Sequence, residues 1–180
     1  MRKTAFFVAM FATVLIAGFA RSATFTPNPP PSAETLTPQN LKTSTNPGWM
    51  SQCVSERRKG PLLCSIEESI IVAGTGQTVA TVAVRMQPAT HDAMMLIRVP
   101  VGLYLPAGIS VQIDDGKAQS ALLQTCDLQG CLAEAIIATS VLTALKSGKQ
   151  LSIVCQTAAQ KRLVLPLPLV GFGEALQKIQ

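Results

Sequence analysis

The chain of 180 residues carries 15 Lys and Arg against 10 Asp and Glu, a formal net charge of +5, with 48% hydrophobic and only 14% charged residues. That hydrophobic content supports one core of single-domain size, excludes disorder for the chain as a whole and argues against two domains. A single histidine, His91, and five cysteines leave no stock for histidine-based proton transfer or a multi-histidine metal site, which leans away from an enzyme.

Residues 1–20 read as a secretory signal peptide: Arg2 and Lys3 begin it, Ala5 to Ala17 is apolar except for Thr13, and Gly18-Phe19-Ala20 offers small residues for cleavage after Ala20. The run is too short to cross a bilayer, and no cysteine follows to take a lipid, so the mature chain is expected not to span a membrane. Loss of Arg2 and Lys3 leaves 13 cationic against 10 anionic side chains, too mild and too scattered a charge for nucleic-acid binding. Residues 21–47 hold Pro27, Pro29, Pro30, Pro31, Pro38 and Pro47 among Thr, Ser and Asn without periodicity, and read as a flexible leader. A single domain is then expected over 48–180.

From Trp49 onward, short runs of strand character are broken by Gly, Pro and Asp at roughly 8- to 12-residue intervals, the rhythm of an all-β, mainly antiparallel sandwich. The clearest strand is Ile109-Ser110-Val111-Gln112-Ile113, in which β-branched and polar residues alternate. Other runs are expected at 49–54, 62–68, 77–86, 94–99, 117–125, 151–155 and 162–166, about eight strands in all. Asp114-Asp115-Gly116 reads as a turn, with Gly116 supplying backbone freedom, and Gly108 as a position needing positive φ. Between Cys131 and Ser147, Leu132, Ile136, Val141 and Leu145 recur among alanines, which predicts a helix near 132–147 stopped by Gly148. A second, short helix is expected at 173–179.

In an exported chain the cysteines read as a disulfide framework. Of three connectivities for four cysteines, Cys53 with Cys64 across a hairpin and Cys126 with Cys131 around Gly130 is preferred. Zinc is disfavoured because Cys-Asp-Leu-Gln-Gly-Cys does not match paired C-x2-C knuckles, and a redox role would want C-x-x-C. Cys155 shares parity with Leu151 and Ile153, as a small buried hydrophobe would; the sharper reading is an intermolecular disulfide. Trp49 and Phe172, among very few aromatics, are expected to anchor the core.

Leu96 to Gly116 (LIRVPVGLYLPAGISVQIDDG), Cys126 to Cys131, Thr143 to Gly148 (TALKSG) and Leu165 to Leu176 (LPLPLVGFGEAL), with Gly48-Trp49, Cys53, Cys64 and Gly76-Gln77 before them, resemble the invasion-associated locus B family over residues 48 to about 176. The resemblance implies an exported protein of a Gram-negative bacterium, periplasmic, secreted or at the outer surface. It also implies a tie to virulence and host-cell, specifically erythrocyte, invasion, and no known catalysis or cofactor. The Pro-rich leader, Cys155 and Pro168 depart from the family pattern.

The one dense charge cluster, Arg57-Arg58-Lys59, would sit at the tip of the Cys53–Cys64 hairpin and is the candidate binding loop for an anionic partner: a sialylated glycan, an anionic lipid or an acidic protein. It lacks the interleaved aromatics of a nucleic-acid surface. His91-Asp92 on an extended chain would point to opposite faces and form no dyad, and Asp114-Asp115 lacks the further oxygen ligands of a calcium loop. The expected function is non-catalytic surface binding in host-cell association, the alternative an envelope role in the periplasm without host contact. A hydrolase, the third choice, would need Asp114, Asp115 or Glu134 brought together in a cleft.

Overall fold

The computed structural model describes residues 48–55, 58, 60–87, 90 and 92–180, and the backbone of 41–43. The expected signal peptide, nearly all of the leader, and Arg57, Lys59 and His91 lie outside the described residues. Eleven strands are seen among them: β1 (Leu41–Thr43), β2 (Met50–Ser55), β3 (Leu62–Val72), β4 (Thr78–Met86), β5 (Ala93–Val99), β6 (Ile109–Ile113), β7 (Gln119–Ala121), β8 (Thr125–Asp127), β9 (Gly130–Ile137), β10 (Gln150–Gln156) and β11 (Arg162–Pro168). Helices α1 (Thr139–Ser147) and α2 (Phe172–Gln177) complete the set.

Most of the strand pairing answers one physical need, the burial of one face of an alternating strand. In β3, Ile66, Glu68, Ile70 and Val72 are buried while Glu67, Ser69 and Ile71 between them are half-buried, and β5, β10 and β11 repeat that alternation. The strands form two antiparallel sheets, one ordered β1-β3-β4-β5-β9-β8 with β2 also on β3, the other β11-β10-β6-β7. Their inner faces share a single core in which Ile66, Ile70, Val82, Ile97, Leu151, Ile153, Leu165 and Leu167 are almost fully buried. The result is an all-β sandwich, as expected from the rhythm of the sequence.

Three details differ from the sequence reading. The helix begins only at Thr139, because residues 131–137 pair along β5 from Val99↔Cys131 to Ala93↔Ile137. Alanines that favour a helix in isolation are also small enough for a sheet interior, and ladder bonds with β5 override the propensity. Ile136, counted there as a helix-face residue, is instead exposed on β9. In the turn after β6 the left-handed residue is Asp114 (φ 47), not Gly116, whose added Cβ would lie 2.9 Å from the Ile113 carbonyl oxygen. Asp114 tolerates that conformation because its carboxylate accepts the backbone amides of Lys149 (3.1 Å) and Gln150 (2.9 Å), tying the turn to the start of β10. Leu41–Thr43, inside the segment read as leader, pairs with Val72–Ile70 of β3. Gly108 does adopt the expected positive φ of 60°.

The end of the sandwich near α2 is closed by the two aromatics. Phe172 is fully buried and meets the Trp49 ring edge-on, centroids 4.8 Å apart and planes at 88°, while Trp49 Nε1 donates to the Pro168 carbonyl at 3.2 Å.

Candidate functional site

Strands β2 and β3 make the hairpin that the first cysteine pair implies. Cys53 stands opposite Cys64 in the register, with Cα atoms 4.0 Å apart and the sulfurs bonded. Beyond the bridge, Ser55 Oγ donates to the Gly60 carbonyl at 3.2 Å, drawing the two arms together below the tip. All six residues of β2 are exposed, since β2 lies at the margin of its sheet. Of the basic cluster, Arg58 is described and exposed at the turn.

Next to the disulfide lies an open hollow of about 360 Å³, walled by Val54, Leu63, Cys64, Ser65, Arg85 and Met86. Arg85 enters it from β4 by pairing with Ser65, and its Nη2 donates to Met94 Sδ at 3.1 Å. This cation was missed in the sequence because nothing local marks it; only the β3–β4 register carries it beside the hairpin. Hollow and hairpin together offer guanidinium groups beside apolar wall, suited to an anionic group carried on a less polar frame.

The second bridge, Cys126–Cys131, closes the tight β8–β9 hairpin. Asp127 accepts the Gln129 amide at 2.7 Å and two bonds from Arg98 at 3.0 and 3.2 Å. Foremost the Gln129 amide, and then Arg98, hold its carboxyl below the usual carboxylate range, although partial desolvation opposes them. Gly130 has φ 140°, and a Cβ there would run into the Val99 carbonyl, so only glycine fits this corner. The hairpin holds Leu128 fully exposed at its tip.

Two of the carboxylates named for a hydrolase, Asp114 and Glu134, belong to different sheets. Asp114 spends its oxygens on the Lys149 and Gln150 amides in the second sheet, whereas Glu134 pairs opposite Leu96 in the first. Among the described residues no three His, Cys, Asp or Glu side chains gather to hold a metal ion, and no helix is long and apolar enough to cross a membrane. Cys155 is a buried free thiol whose pKa burial pushes up to about 11.

Sequence reasoning also missed Glu68. It shares the inward parity of Ile66, Ile70 and Val72 and is only 3% exposed, the one buried charged residue of the described core. Burial raises its carboxyl above the usual range, and the Ser69 amide bonded to Oε1 at 3.1 Å opposes that rise in part. The alternation of β3 was the available signal: an acid two residues from isoleucine on either side falls on the core face.

Two local disulfides on a two-sheet scaffold define a class: a disulfide-stapled β-sandwich of the kind assembled in oxidising, extracytoplasmic compartments. The sequence profile described as "Invasion associated locus B (IalB) protein" matches residues 49–180, and the chain belongs to that family. Invasion protein B homologs of Brucella abortus strain 2308 and biovar 1 strain 9-941 are each 33% identical over 134 residues, 73% of this chain and 75% of theirs. The crystal structure of invasion associated protein B from Bartonella henselae has the same fold, with a TM-score of 0.67 at 23% identity, over 77% of this chain and 94% of that one.

Proposed function

We propose that this protein acts outside the cytoplasm as a non-catalytic binding protein that contributes to association with host cells, erythrocytes among them. The observation that carries the reading is the covalently closed β2–β3 hairpin, with Arg58 exposed at its turn and Arg85 in the hollow beside its disulfide. A fixed hairpin presents cations without the entropy cost of ordering a free loop on binding. Membership of a family whose Brucella and Bartonella members are named for invasion supports the host-directed part. The partner sought is an anionic surface group, attracted less strongly as salt rises. Asp114 and Asp127, bonded to backbone amides, serve the scaffold, which favours binding over hydrolysis.

The test is flow cytometry of the purified, oxidised protein on red and nucleated cells, comparing wild type with the Arg57→Ala/Arg58→Ala/Lys59→Ala variant and with Arg85→Ala. Saturable binding that falls at least tenfold in the triple variant supports the reading. Retained binding keeps the role but moves it off the hairpin. Absence of saturable binding to any cell overturns host association and turns the search to an envelope partner in the periplasm.

A further inference from the structure

The two ends of the sandwich differ in what they expose. β3 runs from Leu62, beside the basic hairpin, to Val72 at the far end, and the register of β3, β4, β5 and β9 brings the close of β5 at Val99 and the start of β9 at Gly130 to that same far end. There the β5–β6 loop lies along the β10–β11 turn: the Tyr104 amide donates to the Gln156 carbonyl at 2.9 Å, and the Ala158 amide donates to the Gly102 carbonyl at 2.8 Å. Gly108 packs so closely on the end of β7 that a Cβ would lie 2.7 Å from the Ala121 carbonyl oxygen, which sets Leu122 beside the same loop. Leu128 stands at the tip of the β8–β9 hairpin, stapled by Cys126–Cys131. Val101, Tyr104, Leu105, Leu122 and Leu128 thus share one end, and they are half of the exposed large hydrophobic side chains among the described residues, Leu122 at 77% exposure and Leu128 fully exposed. Apolar side chains scattered singly over a surface are ordinary, but five on converging loops of one end form a patch.

We propose that this end docks on a lipid bilayer carrying anionic headgroups, sinking its apolar loop tips to the boundary between headgroups and acyl chains. The charge fits that partner. Within residues 98–108, 119–131 and 156–162 the cations are Arg98, Lys161 and Arg162, and the only carboxylate is that of Asp127, bonded to Arg98 at 3.0 Å; the exposed Lys161 and Arg162 remain for lipid phosphate. The loops also suit a medium poor in water. The turn at 105–107 satisfies its own amides, Ala107 on the Tyr104 carbonyl at 3.2 Å and Gly108 on the Leu105 carbonyl at 2.9 Å, while the disulfide and the bonds between loops hold the tips outward. Tyr104 offers an apolar ring whose hydroxyl can stay among the headgroups. A protein partner would need a contour matched to three separate loops, whereas a bilayer takes each tip independently. A docked molecule carries the basic hairpin away from the lipid by the length of β3, eleven residues or roughly 30 Å. The docking end is separate from the hairpin and does not depend on the role proposed for it.

The test is flotation of the purified, oxidised protein at physiological salt with vesicles of phosphatidylcholine and with vesicles of phosphatidylcholine and phosphatidylglycerol in equal parts. Half of the protein is expected to float with the mixed vesicles at lipid on the order of 1 mM, weaker than the roughly 0.1 mM of a single myristoyl chain because the loop tips bury less hydrocarbon. Leu122→Gln/Leu128→Gln should weaken flotation at least tenfold on both kinds of vesicle, and Lys161→Gln/Arg162→Gln about tenfold on the mixed vesicles only. These substitutions alter exposed side chains, and unchanged emission from Trp49, buried near α2 at the opposite end, shows that the fold is kept. Arg57→Ala/Arg58→Ala/Lys59→Ala should float as wild type does, since charges that far from the lipid are screened. No flotation with the mixed vesicles, undiminished flotation of the leucine variant, or flotation lost in the hairpin variant would overturn the proposal. If wild type does not float but self-associates in sedimentation velocity, and the leucine variant does not, the patch is an interface between copies and the proposal fails.

Discussion

Removing Phe172 is the sharpest test of how the sandwich is closed. Its ring is fully buried, sits edge-on to Trp49 at 4.8 Å, and starts the short helix α2, whose Ala175 and Leu176 are also buried. A Phe→Ala change at such a site costs about 3–5 kcal/mol through lost transfer energy and the cavity left behind. Of this, about 1 kcal/mol belongs to the aromatic pair itself. Phe172→Leu keeps most of the volume and should cost about 1.5 kcal/mol. Val170→Ala, two residues away and 80% exposed, should change stability by less than about 0.5 kcal/mol. Urea unfolding followed by Trp49 fluorescence measures all three, and because the chain has one tryptophan the native spectrum of Phe172→Ala should itself shift to the red. For a domain of the size of residues 48–180 the alanine variant should melt roughly 10 °C lower. A cost below about 1 kcal/mol, or one equal to that of Val170→Ala, would refute the argument that this ring pair closes the core.

The two bridges should differ in worth through loop length alone. With sequence separations of 11 and 5, Cys53→Ala/Cys64→Ala should cost about 3 kcal/mol and Cys126→Ala/Cys131→Ala about 2 kcal/mol on the chain-entropy account, read from urea midpoints; the reverse order would contradict it. Glu68 should make the fold prefer acid: burial holds its folded pKa above the usual 4.5, so its favourable contribution is whole below 4.5 and is lost as pH rises through the folded value. Melting of wild type and Glu68→Gln should therefore diverge from pH 4 to 7, with the variant increasingly the more stable, and a flat difference would count against a desolvated carboxylate. Cys155, buried and with its pKa pushed up to about 11, should resist a thiol reagent at pH 8 in the native protein and react once denatured; rapid native labelling would show that the site opens.

Much of the architecture was legible because it rests on short-range pattern. The alternation of Ile109 to Ile113, the turn at Asp114 to Gly116 and the spacing of the four paired cysteines each report local geometry, and the sandwich class and both disulfides follow from them. The basic cluster could be placed beside the first bridge for the same reason. Cys131 to Ile137 was misread because alanine suits a helix and a crowded strand alike, and the choice was made by β5, more than thirty residues earlier in the chain. Arg85 reaches the hairpin only through the register of β3 with β4. Glu68 shows the division most clearly: strand parity alone puts its side chain on the inner face, but a carboxylate there could equally reach water at an open margin. That it is buried, with Gly48 and the Val170 carbonyl converging beside one oxygen, was decided by the return of β2 and the segment before α2 to the same stretch of β3, contacts that bring together residues about one hundred positions apart and that no local pattern encodes.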